Sequence, residues 1–396
     1  MAQEPKGEAA PVDGSLEIDF NKLLNKPFSV YIHVPYCKKR CGYCDFNTYT
    51  PQEIDANDQM ENWAKATIKE IELAKKVLKK DLVIDTIFFG GGTPSLLSSK
   101  ELNYIFDGLK SNFTFAKDVE ITLEANPDDI NDEQIVNWLD NQINRISIGM
   151  QSSSKKVLEI LDRTHNTSNI EKSAILLKKH GLNNFSFDLI YGTPGESLKD
   201  WQNSVEFALS LKPAHLSAYS LVIEPGTKMG NDLKANKIQN VNDDLSADKY
   251  LLADEIFEKN GFSWYEISNW SLNNLNSRHN LNYWKNNNWW GFGPGAHSHI
   301  EGYRWWNLKL PNQWREKLEK ETSPAKAREV LAPEQKISEH IMLSMRLNSG
   351  IDSRQFDTEK IDELIKNDLI FLVENNLVLT KRGRLLADQV FMQLNN

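Results

Sequence analysis

The chain has 396 residues, of which 40% are hydrophobic and 26% charged, and its formal net charge is -9. This is the composition of a globular protein with room for one large domain and a smaller one, and its acidity argues against non-specific nucleic-acid binding. No run of about 18 apolar residues is present to span a membrane, and the polar N-terminus MAQEPKGEAAPVDGS lacks the apolar core of a signal peptide; a set of three unpaired cysteines implies a reducing cytoplasm.

In chain order, residues 1–26 are expected to be a disordered tail. From 27 to 245, short runs rich in Val, Ile and aromatics alternate with helical segments. The runs fall at 29–34, 82–89, 119–125, 145–150, 185–191 and 216–222. Between the first two, Ala64, Ile68, Ile71, Ala74 and Leu78 recur at helical spacing. Such alternation predicts an α/β fold with a parallel sheet wound as an open or closed barrel. In such folds ligands bind at the carboxyl ends of the strands.

All three cysteines fall in the loop after the first run, as Cys37, Cys41 and Cys44, spaced C-x3-C-x2-C. Disulfides fit poorly, because the number is odd and the spacings are short. Structural zinc needs four ligands, and His33 is the only nearby candidate for the fourth. Three thiolates suit a 4Fe-4S cluster with one iron left open. The other motifs fall at the same end of successive runs. Gly90-Gly91-Gly92-Thr93-Pro94 follows the second, Glu124 ends the third and Gln151 follows the fourth. Asp188 lies in the fifth, just before Gly192-Thr193-Pro194-Gly195.

After about residue 230 the pattern changes. Residues 231–245 read as a polar linker and 246–259 as a helix. The segment 246–332 is aromatic-rich, and eight of the eleven Trp lie between Trp264 and Trp314. From 333 to 396 the order helix, helix, hairpin, helix reads as a winged-helix-like α+β domain. Its hairpin at 372–379 is expected to turn at Asn375-Asn376. No dense basic stripe marks it for DNA, so a packing role fits better.

Tyr31-Ile-His-Val-Pro-Tyr-Cys37, the cysteine spacing and the Gly-Gly-Gly-Thr-Pro run together resemble the radical S-adenosylmethionine superfamily, and within it the oxygen-independent coproporphyrinogen III oxidase branch. The resemblance implies a partial (β/α)6 barrel, a 4Fe-4S cluster on Cys37, Cys41 and Cys44, and S-adenosylmethionine chelated by the open iron. It places Tyr31, Tyr43, Gly91, Gly92, Thr93, Glu124, Gln151, Arg163 and Asp188 at cofactor-binding positions. Gly91 and Gly92 would admit the cofactor's amino group, Glu124 would accept from ribose hydroxyls, and Arg163 would clamp a carboxylate. It also implies an electron donor for the cluster.

Two functions compete within this branch. The oxidases, which decarboxylate two propionates of coproporphyrinogen III to give protoporphyrinogen IX, carry a fourth cysteine two residues after the third. Here that position is Phe46. Its absence resembles the HemW-type haem chaperones, as does His279-Asn-Leu-Asn-Tyr283-Trp284, an H-N-x-x-Y-W sequence. That resemblance implies haem as cargo, His279 as its ligand, and a haem-protein acceptor, usually respiratory and reached through peripheral membrane contact. Histidine is a common axial ligand. His297 and His299 are alternative ligands, the Trp289-Trp290 and Trp305-Trp306 pairs would pack the macrocycle, and Arg304 would pair a propionate. Read on residues alone, without the resemblance, this stretch is a satellite aromatic core under a long loop, since aromatic clusters are usually packing.

Overall fold

The computed structural model describes residues 7–54 and 59–395. Six strands stand side by side in chain order, all parallel: β1 (Phe28–Val34), β2 (Val83–Gly91), β3 (Thr114–Ala125), β4 (Arg145–Gln151), β5 (Phe185–Tyr191) and β6 (His215–Ser220). Their apolar runs are buried on both faces, as parallel strands covered by crossover helices must be. The helices Ser99–Asn112, Asp132–Asp140, Thr167–Lys179 and Leu198–Ser210 each start at a side-chain cap, from Ser98, Asn131, Asn166 and Ser197. Each crossover returns the chain to the same edge of the sheet, so the loops that follow the strands meet on one rim.

The aromatic-rich segment does not stand apart. It supplies both flanks of the same sheet, through β7 (Ser263–Glu266), β8 (Asn269–Ser271), β9 (Asn288–Phe292), β10 (His297–Ile300), β11 (Tyr303–Asn307) and β12 (Ala325–Val330). The order is β12-β11-β10-β9-β1-β2-β3-β4-β5-β6-β8-β7, an open sheet of twelve strands. Trp270, Trp290, Trp305 and Trp314 are buried in the core shared with the central strands. One buried carboxylate fastens the flank. Glu70, on the helix Gln59–Leu78, accepts from Gly293 N–H (2.8 Å), Trp314 Nε1 (3.0 Å) and Asn307 Nδ2 (2.6 Å).

Several expectations need correction. The tail over 1–26 is docked wherever it is described; residues 1–6 lie outside the described residues. Glu8 and Arg328 exchange backbone hydrogen bonds, Ser323 N–H bonds Val12 O, and Leu23 is buried. This pairing covers the edge strand β12, whose backbone groups would otherwise be open. The linker at 231–245 is shorter, because helices occupy Lys228–Lys234 and Asp243–Lys259. Thr227 and Asn242 cap them, and Asp243 and Asp244 lie in the first turn of the second, where acidic groups favour a helix start.

The C-terminal region forms a small α+β body with its own apolar cluster around Met345, Leu364, Leu377 and Val390. Its sheet, β13 (Ile351–Asp352), β14 (Ile370–Val373) and β15 (Asn376–Leu379), has the order β13-β15-β14 and is antiparallel. The hairpin turns at Glu374-Asn375 rather than at the Asn pair: Glu374 takes φ +54° and Asn376 already pairs with Val373. Among the described residues, no helix is long and apolar enough to cross a membrane.

Candidate functional site

The carboxyl ends of the parallel strands open into a cavity of about 400 Å³. Cys37, Cys41, Tyr43, Cys44, Gly91, Gly92, Thr93, Glu124, Gln151, Arg163 and Asp188 all line it. The sequence places them over a span of more than a hundred residues, and strand order alone brings them together. The cysteine loop is tied down by Cys37 N–H to Tyr49 O (3.0 Å), Gly42 N–H to Leu161 O (3.3 Å) and Met229 N–H to Gly42 O (2.9 Å).

The donor set fits a cluster. Among the described residues no three acidic, His or Cys side chains converge as a single-ion cage. A cubane does not require this, because each thiolate binds a separate corner iron. Thr93 Oγ1 donates to Cys37 Sγ (3.4 Å) and Arg163 donates to Cys41 Sγ (3.3 Å), as suits sulfurs that carry negative charge when ligating. Burial pushes the Cys37 thiol up to about 11, with the neighbouring thiols adding to it, so metal must displace a proton there. His33 cannot complete a zinc site. Its Nδ1 meets Tyr31 OH (3.0 Å), its Nε2 meets Asn47 O (2.8 Å), and it faces a different cleft.

The remaining rim residues show why these types stand here. A Cβ on Gly92 would lie 2.6 Å from Tyr36 O, so the glycine run is already required by its packing on the cysteine loop. Glu124 accepts from Gly91 N–H at 3.2 Å; burial, and then the charge of Asp188, push it up to about 8. Gln151 holds φ +62° beyond a register shift in β4 that aims its side chain at the cavity. Asp188 accepts from Ser147 and Ser217, both at 2.8 Å. Arg163 presents no open fork: besides Cys41 it donates to Asn126 Oδ1 (2.6 Å) and Gly149 O (3.0 Å). In this arrangement it braces the cysteine loop.

Tyr31 and His279 are not in this cavity. Tyr31 lines a neighbouring cleft of about 510 Å³ together with Phe46, Tyr283, Trp289, His297, Arg304 and Lys309. His279 reaches neither space. It is fully buried, with Nδ1 2.7 Å from Thr86 Oγ1 and Nε2 2.8 Å from Tyr283 OH, and its ring stacks on Phe88. Burial holds it neutral, down to about 3. His299 is also buried, its nitrogens meeting Asn287 O (3.1 Å) and Gly302 N–H (3.0 Å). His297 is exposed in the cleft and stacks on Trp306. Arg304 forms a bidentate pair with Glu339 and so does not offer a propionate its fork. Phe46 lines both spaces and is 70% exposed.

The model of the Radical SAM superfamily matches residues 31–208. The heme chaperone HemW of Mycobacterium tuberculosis (strain ATCC 25618 / H37Rv) is 40% identical over 375 residues, covering 94% of this chain and 96% of that protein. The chain belongs to the HemW family. The heme chaperone HemW of Bacillus subtilis (strain 168) is 32% identical, covering 92% of this chain and 98% of its own. The coproporphyrinogen III oxidase HemN of Escherichia coli superposes with a TM-score of 0.82 at 19% identity, over 98% of this chain and 96% of that one, which shows a shared fold.

Three groups in this HemW-family chain escape a reading of the sequence. Asn126 orients Arg163 but stands in an ordinary Asn-Pro turn. Arg145 opens the run 145–150 and His215 just precedes the run 216–222, with nothing in the sequence to single either out, yet both are buried in the cavity wall. Only the inward side of each strand, known once its register is known, marks them.

Proposed function

We propose that this chain is a haem chaperone, which binds haem and passes it to an acceptor protein on a scaffold carrying a 4Fe-4S cluster and S-adenosylmethionine. One observation carries the reading. Where the oxidases of this branch have a fourth cysteine, the loop presents an exposed aromatic ring, Phe46, to an open cleft walled by Tyr283 and Trp289. A carrier must release its cargo, and an open aromatic cleft suits a flat macrocycle that binds and leaves. His297 is the imidazole that meets the iron. His279 acts behind the wall, holding Tyr283 by its hydroxyl. The acceptor is a respiratory haem protein, reached by peripheral contact with the membrane, and a separate protein supplies electrons.

Cys37, Cys41 and Cys44 would hold the cluster. When bound, it supplies single electrons and an iron open to the amino and carboxylate groups of S-adenosylmethionine. Tyr43, Gly91, Gly92 and Thr93 shape the wall beside it, while Gln151 and Asp188 present polar groups further round the rim. Glu124 takes the ribose hydroxyls, and this has a pH signature. Its carboxyl is held up to about 8, so in the ligand-free protein it is mostly protonated at neutral pH. Accepting hydroxyls favours the carboxylate, so binding releases a proton. S-adenosylmethionine affinity should therefore rise by up to about tenfold per unit from about pH 6 to pH 8 and flatten above. Calorimetry in buffers of different ionisation heat checks this. Glu124→Gln should abolish the slope, and a flat wild-type profile would remove Glu124 from the ribose site.

The function is tested on one anaerobic sample by haem titration and by a porphyrinogen assay. The wild type should bind haem at one per chain and leave coproporphyrinogen III unconverted; turnover to protoporphyrinogen IX would sink the chaperone reading. His297→Ala should shift the Soret band and weaken binding about tenfold or more, as loss of an iron ligand does. His279→Ala should weaken binding while keeping the wild-type spectrum, because it loosens Tyr283 only. A changed spectrum in His279→Ala with an unchanged one in His297→Ala would reverse these roles.

A further inference from the structure

The deep end of the cysteine-lined cavity is used by neither the cysteine loop nor the rim. Arg145 opens β4 and His215 opens β6, and both line the cavity. Gln151 closes the seven residues of β4, so Arg145 lies roughly 20 Å below the rim along the strand. Arg145 is 2% exposed. Among the described residues its side chain has no ion pair and no hydrogen bond, and its Nε is a buried donor with no partner. Asp188, the acid on the same wall, spends its oxygens on Ser147 and Ser217.

His215 adds a second idle group. Its Nε2 is 2.8 Å from Tyr265 OH, and that oxygen already accepts from Ser277 N–H. The arrangement that uses every proton has Tyr265 donate to Nε2, which leaves the ring proton on Nδ1. Nδ1 is buried without a partner. So is Thr122 Oγ1, on the residue that pairs with Arg145 across β3 and β4. Burial, and after it the charge of Arg145, keep His215 neutral. An unpaired buried guanidinium is among the costliest groups a fold can carry. Here it lines the same cavity wall as a second unused donor.

We infer that Arg145 and His215 form a carboxylate-binding subsite at the deep end of the barrel cavity, separate from the aromatic cleft. The planar guanidinium takes a carboxylate in two parallel hydrogen bonds and the imidazole N–H adds a third. S-adenosylmethionine would place its own carboxylate on the open iron at the rim, roughly 20 Å away along the strand, so the carboxylate taken here is that of a tetrapyrrole side chain.

The test titrates full-length, anaerobically reconstituted protein with S-adenosylmethionine and, separately, with metal-free coproporphyrin III. Arg145→Met should weaken coproporphyrin III at least tenfold and leave S-adenosylmethionine unchanged; weakening of S-adenosylmethionine alone overturns the proposal. Haem binding should be unchanged, so failure of the subsite and failure of the chaperone reading are told apart. The melting temperature of Arg145→Met should match or exceed wild type, since an unpaired buried charge is removed; a purely structural arginine would lower it. If Arg145→Met does not fold, Arg145→Lys is read instead. It keeps the charge without the fork and should weaken the same probe several-fold. Unchanged affinity for coproporphyrin III in a folded variant overturns the proposal, as does failure of the wild type to bind it.

Discussion

Replacing Cys41 with Ser should strip the protein of its cluster. Cys41 stands in the middle of the loop that carries every thiol of the chain, and Arg163 donates to its sulfur from 3.3 Å. A hydroxyl is a harder and far more basic ligand than a thiolate, and it does not replace sulfur toward these irons. Removing even an outer partner of a metal site costs tenfold or more in affinity, so losing one of three thiolates should cost at least about that. Iron and acid-labile sulfide, measured after anaerobic reconstitution, should fall to background. Haem titration should change little, because Cys41 does not line the aromatic cleft. Iron and sulfide at the wild-type level in Cys41→Ser would contradict the assignment.

The second large effect is on stability. Glu70→Ala leaves two buried donors without an acceptor, Gly293 N–H and Trp314 Nε1, and takes one of the two acceptors of Asn307 Nδ2, which keeps Gly293 O at 2.9 Å. A stranded donor costs about 1–3 kcal/mol, so the two together should cost about 2–6 kcal/mol, a large part of a typical domain's stability. Those donors sit after β9, on β11 and on the helix Pro311–Glu319, so the flank that carries the cleft should loosen first. Urea unfolding should show the lower midpoint, and amide exchange should show early opening over β9–β11. Glu70→Gln retains one acceptor oxygen and should lose less. A midpoint within about 0.5 kcal/mol of wild type in Glu70→Ala would show that water satisfies these groups.

Much of this was written locally. Three cysteines in one loop, a glycine run after a strand and polar residues at successive strand ends are short-range patterns, and alternating strands and helices fix which ends share a rim. That is why eleven of the expected positions, from Cys37 to Asp188, line one cavity. His279 and Arg163 illustrate where the pattern ran out. The first has the residue type of a ligand but sits behind Tyr283; the second has the fork of a clamp but spends it on Cys41, Asn126 and Gly149. A side chain's partners depend on what packs against it from far along the chain.

By itself the sequence determined the six alternating strands and helices of the parallel sheet and the chemistry of the cysteine loop, because hydrophobic period, caps and metal-ligand spacing act within a few residues. Only the tertiary structure decided that the aromatic segment flanks the barrel sheet, that Glu70 bolts it in place, that His297 rather than His279 reaches the cleft, and that Arg145 is buried unpaired. Those outcomes turn on which face each residue presents once strands hundreds of residues apart lie side by side, and burial then sets the charge and partners of every group on that face.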